Sequence, residues 1–134
     1  MSVEANKAAL RRAAANFTPQ TLESYLQLYR PDARLHYLPP GFPQGRDGAR
    51  LFYQAFFAAF PDGRVTIEDL VSEDDKIAAR FSISGTHSGE FLGAAPTGKR
   101  LTFSGISIFQ FASGHCVERW SETNLVQMLQ QAGA

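Results

Sequence analysis

The sequence predicts an α+β domain in which helices, mostly early in the chain, pack on a curved antiparallel sheet that encloses a pocket. Three observations carry this reading. Apolar residues recur at helical spacing in the first half, whereas period-two alternation takes over from residue 64. Two β-branched and aromatic runs, 101–112 and 116–120, flank Ser113-Gly114, which is a hairpin signal. In the first of these runs Leu101, Phe103, Gly105, Ser107 and Phe109 share one face, and Thr102, Ser104, Ile106, Ile108 and Gln110 share the other. Both faces mix apolar with small polar groups. A strand between a solid core and water would alternate more cleanly, so one face is expected to cover a core or partner and the other to line a cavity.

The elements follow in order. Ser2 is an N-cap for an alanine-rich helix over 5–15, with Ala9, Leu10, Ala13, Ala14 and Phe17 as its apolar stripe. Thr18-Pro19 opens a second helix, because Pro at the first helical position loses no hydrogen bond. Leu22, Tyr25, Leu26 and Tyr29 fall at i, i+3, i+4 and i+7, and Pro31-Asp32 is expected to end that helix. A short strand over 33–38 leads into a loop, 39–43, whose prolines cannot join a ladder. Asp47 is read as the cap of a third helix, 48–60, rich enough in Phe to be buried on much of its surface.

Pro61-Asp62-Gly63 turns the chain into a strand over 64–73. Alternation fails at Asp69, which implies a bulge or a fresh start there. Asp74-Asp75 leads to a strand over 76–86, a glycine-rich segment over 88–98, and then the hairpin. Asn124 is expected to cap a last short helix, 125–131.

With 134 residues the chain fits one domain, 1–134, large enough to bury about two thirds of its unfolded surface. Lys+Arg and Asp+Glu are both 13, so charge favours neither nucleic acid nor an anionic membrane as a partner. The single Cys116 excludes an internal disulfide and a thiolate metal cluster, and within a strand it reads as an inert buried thiol. His, Asp and Glu do not cluster at metal-ligand spacing, and no phosphate loop or dinucleotide fingerprint occurs. No metal and no coenzyme are expected. A polar amino terminus and no run of transmembrane length lead us to expect a soluble, cytoplasmic protein.

Three segments carry a resemblance: YRPDARLH, GRDGARLFYQAFFAAF, and the stretch from FPDGRVTIEDL to the CVERW after the hairpin turn. The most specific part is GTHSGEFLGAAPTGKR followed by GxxxF and ExW. The chain resembles the SnoaL-like polyketide cyclases (the ester cyclase group) from about residue 22 to its end. That resemblance implies the cone-shaped NTF2-like fold, on which cyclases, isomerases, hydrolases, dehydratases and ligand-binding modules all occur. It also implies an Asp on the last strand as general acid/base in aldol closure, supported by a His on the preceding strand. Counting outward from Gly114 puts Ser121 at the Asp position and Ser107 at the His position. A serine hydroxyl exchanges no proton near neutral pH without a base beside it.

Other groups are therefore candidates for the chemistry. His36 and His87 match histidines of the group and have an ordinary pKa near neutrality. His36 is favoured as the acid/base because its strand runs into the proline-rich loop, expected to rim the cavity; His87 is read as a pocket residue or an anchor for the glycine-rich loop. His115, at the hairpin turn, should be solvated. Arg119 shares the parity of Ser121 and is a pocket cation, and Arg80 is a second candidate for binding a carboxylate or enolate. Glu118 and Glu122 alternate away from Ser121, toward a surface or interface.

The expected catalytic set is His36, Arg119 and Ser121, with Tyr25, Tyr29, Phe52, Phe56, Arg80, His87, Phe91, Ser107 and Phe109 around the substrate. The expected ligand is a small, mostly apolar or aromatic carbonyl or ester, handled without metal or coenzyme. The alternatives are a non-catalytic binding module, or an isomerase, hydrolase or dehydratase in which His36 or His87 replaces the Asp. A homodimer through the outer face of the sheet is also expected, since Ile106 and Ile108 would otherwise leave an exposed apolar patch.

Overall fold

The computed structural model describes residues 2–133. Helix α1, Val3–Ala15, starts where expected: Ser2 accepts a hydrogen bond on Oγ from the Ala5 N–H at 3.0 Å. Its Asn6, Leu10 and Ala13 are buried, and the helix lies against the second strand. Helix α2, Leu22–Leu26, is shorter than its apolar spacing predicts. Tyr29 does not continue it but opens strand β1, Tyr29–Leu35, which contains the Pro31 expected to end the helix. The strand lies at the sheet edge, where a residue without an N–H removes no ladder bond.

Helix α3, Gly45–Ala59, begins three residues before the predicted start. Asp47 does not cap it but lies in its first turn, paired with Arg50 at 2.7 Å. The N-cap position belongs to Gln44, whose side chain does not cap either. Gln44 Oε1 accepts from the Leu35 N–H at 2.8 Å and its Nε2 donates to the Leu35 carbonyl at 3.1 Å, so this amide stands in for a neighbouring strand at the end of β1. Gly48 is required because a methyl group there would run into the Pro43 carbonyl, where the proline-rich loop passes close to the helix.

Strands β2 (Arg64–Glu73), β3 (Lys76–Thr86), β4 (Arg100–Ala112) and β5 (His115–Thr123) form an antiparallel meander, closed by helix α4, Leu125–Gln131. The sheet order is β1-β5-β4-β3-β2. The sheet is mixed rather than antiparallel throughout, because β1 pairs with β5 in parallel. The register of β2 on β3 shifts between Ile67 and Asp69, at the point where alternation fails in the sequence. Ser113 and Gly114 both take positive φ, the geometry of a two-residue hairpin turn matched to strand twist. Asn124 accepts from the Ser104 N–H at 2.8 Å, tying α4 to β4, and makes no side-chain cap to the helix.

Phe17, Phe56, Phe57 and Phe60 pack with the inner face of the sheet, Phe103 included, to form the core. No helix of the described residues is long and apolar enough to cross a membrane.

Candidate functional site

Strand alternation sends Ser107 and Phe109 of β4, and Arg119 and Ser121 of β5, to the inner face. The register sets Ser107 opposite Ser121 and Phe109 opposite Arg119. The two serine hydroxyls lie 2.6 Å apart. Arg119 Nε donates to both, at 3.3 Å to Ser107 and 3.0 Å to Ser121, and its Nη2 donates to Ser107 at 3.0 Å.

All four tyrosines of the chain converge on the same side chain. Arg119 Nη1 donates to Tyr29 at 2.6 Å, Tyr53 at 3.2 Å and Tyr25 at 3.3 Å. The fourth, Tyr37, meets the guanidinium with its ring at 4.5 Å, and the Phe109 ring does so at 4.6 Å. The four hydroxyls close a ring: Tyr25 to Tyr29 at 2.7 Å, Tyr29 to Tyr37 at 3.5 Å, Tyr37 to Tyr53 at 2.9 Å, and Tyr53 to Tyr25 at 3.4 Å.

Arg119 is only 7% exposed, and none of the ion pairs of the described residues includes it. Burying such a charge without a carboxylate costs several kcal/mol, offset in part by these hydrogen bonds and the two ring contacts. Burial pushes the hydroxyls of Tyr25, Tyr29 and Tyr37 well above their ordinary range, and the nearby cation only partly opposes this. Burial also disfavours the Arg119 charge, but the phenol oxygens around it more than compensate and hold its pKa up. Both shifts favour one state: neutral phenols around a guanidinium cation. The Cys116 thiol is buried in β5, and burial pushes its pKa up to about 12, which keeps it a thiol at neutral pH.

A cavity of about 390 Å³ opens above this cage, a volume within the roughly 300–1,000 Å³ of small-molecule sites. Arg119, Ser121, Tyr37 and Tyr53 supply polar atoms, and Phe52, Phe56, Phe81 and Phe103 supply apolar walls. A tight turn at Leu92-Gly93, both at positive φ, closes the Phe91–Ala94 bridge. It holds Phe91 inward and leaves Leu92, 49% exposed, over the cavity mouth. A second, apolar space of about 60 Å³ lies under α1 and also reaches Arg119, past Tyr25 and Phe109.

Of the sequence-predicted site residues, His36, Phe52, Phe56, Phe91, Arg119 and Ser121 line the larger cavity. Tyr25, Tyr29, Ser107 and Phe109 build the cage around Arg119. Two do not join them. Arg80 points from the outer face of the sheet, opposite Ile106, and pairs with Asp69 at 2.7 Å; its parity in β3 turns it away from the cavity. His87 is fully buried, stacked on Phe60 with ring centres 5.2 Å apart. Its Nδ1 meets Thr97 Oγ1 at 3.3 Å, while its backbone bonds Lys99 and Gly98, so it anchors the glycine-rich loop rather than facing the cavity.

His36 stands at the cavity rim, with its side chain 46% exposed, but Nε2 is held by Glu118 Oε2 at 2.6 Å. The ring stacks on Trp120. Glu118 also takes Arg34 at 2.6 Å, and these contacts, that to His36 foremost, hold its carboxyl below the usual range. Tyr37 and Tyr53 were not among the expected site residues. Tyr53 had a signal, since it falls at i, i+3, i+4 and i+7 with Phe56, Phe57 and Phe60.

The comparisons agree with this architecture. The model of the SnoaL-like polyketide cyclase family matches residues 7–132. IdmH from Streptomyces antibioticus, described as a proposed polyketide cyclase, is 32% identical with a TM-score of 0.80, over 96% of this chain and 99% of its own. TsrD from Streptomyces laurentii is 26% identical with a TM-score of 0.86, over 100% and 98%. AclR from Streptomyces galilaeus, described as a proposed hydroxylase, is 27% identical with a TM-score of 0.83, over 98% and 87%. Among curated protein sequences nothing matches the chain. The fold is thus the NTF2-like cone of this group.

Proposed function

The chain belongs to the SnoaL-like polyketide cyclase family, and from that premise we propose that it performs cyclase-type acid/base chemistry on a small, mostly apolar carbonyl or ester ligand. The observation that carries the reading is the buried, carboxylate-free guanidinium of Arg119 facing an aromatic cavity. A carbonyl oxygen seated beside Nη2, which contacts Ser107 alone, gains negative charge as an enolate forms. Preorganised donors in a water-poor site stabilise such charge more strongly than water does.

Ser121 does not replace the family's Asp as a base, because its hydroxyl is tied to Ser107 and to Arg119. Proton exchange is assigned to His36. Glu118 fixes its Nε2, which leaves Nδ1 for the ligand at the rim. His36→Ala should lower turnover of a genuine substrate by roughly 10²-fold, the usual scale for losing a general acid/base, with the fold intact. Unchanged turnover would remove His36 from the mechanism.

The same serines favour a second reading, a binding module without catalysis, since no ionisable base lies within the cage. Ligand binding without conversion, at every pH tried, would select it.

We also propose that two copies pair through the outer face of the sheet. Val71, Ala78, Ile108 and Trp120 stand in register across β2, β3, β4 and β5 as one apolar row. Val71 is 67% and Ile108 41% exposed. Asp69, Arg80 and Glu122 border the row on one side and Glu73, Lys76 and Glu118 on the other. Both borders carry both signs, which suits a self-complementary two-fold contact.

A further inference from the structure

We propose that the cage selects its ligand in the ionised state: an apolar, ring-sized molecule bearing one delocalised oxyanion, such as a phenolate or the enolate of a 1,3-dicarbonyl. The inference rests on the reading of Arg119 as the group that meets the ligand's oxygen, and adds which charge that oxygen brings.

Charge accounting around the guanidinium is its ground. The groups that face Arg119 come from every element packed on it: Tyr25 of α2, Tyr29 of β1, Tyr37 after β1, Tyr53 of α3, Ser107 of β4 and Ser121 of β5. None is a carboxylate. Burial keeps Tyr25, Tyr29 and Tyr37 protonated, and Cys116, farther along β5, stays a thiol.

The nearest acids are engaged or outside. Glu118 is occupied by Arg34 and His36, and Glu122 touches the cavity from an exposed position without pairing to Arg119. The site therefore holds one cation that no described residue neutralises. An anion entering the cavity offsets, by Coulomb attraction, the hydration that Arg119 lost on burial, and does so more fully than the dipole of a neutral carbonyl can.

Shape narrows the anion. Phe52, Phe56, Phe81 and Phe103 receive an apolar body, and among the other lining groups Glu122 would repel a second anionic group while His36 Nε2 is already held by Glu118. The guanidinium is itself in contact with the Tyr37 and Phe109 rings. A planar oxyanion meeting the edge of the guanidinium at Nη2, with its rings against the phenylalanines, satisfies both ends.

Para-nitrophenol tests this without any need for turnover. It ionises near neutral pH, and its anion absorbs in the visible, while para-nitroanisole is its neutral counterpart. Bound to the protein, the phenol should titrate about one pH unit or more below its value in water, which is a preference of tenfold or more for the anion. Nitroanisole should bind correspondingly more weakly. Ser121→Asp puts a carboxylate where Nε now meets a hydroxyl, so it should neutralise the cage and erase the preference. Arg119→Gln, which keeps donors but removes the charge, gives the same readout should the first variant not fold.

Four results would overturn the proposal. They are a bound phenol that titrates at or above its free value, no detectable phenolate binding, an equal preference in the folded variants, or a tyrosinate absorption band in the free protein at neutral pH. The last would mean that the cage neutralises itself. A protein that prefers the anion but converts no ligand keeps this inference and loses the catalytic one; turnover of neutral carbonyls without anion preference does the reverse.

Discussion

Arg80 and Arg119 lie in the same sheet, on β3 and β5, yet they occupy opposite electrostatic worlds. Arg80 is on the outer face, its side chain 55% exposed, and it meets Asp69 at 2.7 Å. His36 and Arg34 likewise share Glu118. Arg119 is on the inner face, 7% exposed, surrounded by hydroxyls and rings. The difference is one of strand parity. The two arginines turned outward here, Arg34 and Arg80, each have a carboxylate, while Arg119, turned inward, has none and faces a cavity able to admit a ligand. Pairing on the wet face is worth little; the absence of pairing on the dry face makes the charge available.

The sharpest way to break this contrast is Arg119→Lys. An ammonium keeps the charge but cannot reach the five hydroxyls that the planar fork now bonds. Turnover should fall by about 10²–10³-fold, the scale for losing an oxyanion donor, while the circular dichroism spectrum stays native. Wild-type turnover in this variant would show that charge alone, and not the fork, is used.

Next in size is Ile108→Glu on the outer face. It places a carboxylate in the middle of the apolar row, so light scattering should move from twice the 14.7 kDa chain mass to once that mass. A wild-type protein already at the single mass would end the two-copy proposal. The smallest effect belongs to Arg80→Ala. Loss of an exposed ion pair should change stability by within about 1 kcal/mol in denaturant titration and leave turnover unaltered. A larger loss of turnover would return Arg80 to the site from which the structure removes it.

Much of this is legible in the sequence. The failed alternation at Asp69 marks the register shift, Ser113-Gly114 marks the hairpin, and the shared parity of Arg119 and Ser121 puts both on one face. Those are local facts, because in a strand the direction of a side chain depends only on whether its number is odd or even along the run. The errors are of another kind. Tyr29 keeps helical spacing with Leu22, Tyr25 and Leu26, and a five-residue helix satisfies that spacing as well as a longer one. Pairing with β5 decides that Tyr29 is a strand residue, and such pairing leaves no trace near position 29.

By itself, then, the sequence determined the helix-then-meander order, the two faces of the β4–β5 hairpin, and an inward Arg119 beside two serines. Only the tertiary structure decided that Tyr25, Tyr29, Tyr37 and Tyr53, from two helices, a strand and a loop, would close around that arginine with no carboxylate among them. It also decided that Arg80 would find Asp69 and His36 would find Glu118. Periodicity reports the direction a side chain leaves its own element. Which groups it meets depends on contacts between residues up to 94 positions apart, as between Tyr25 and Arg119, and on the charge that burial permits once they meet.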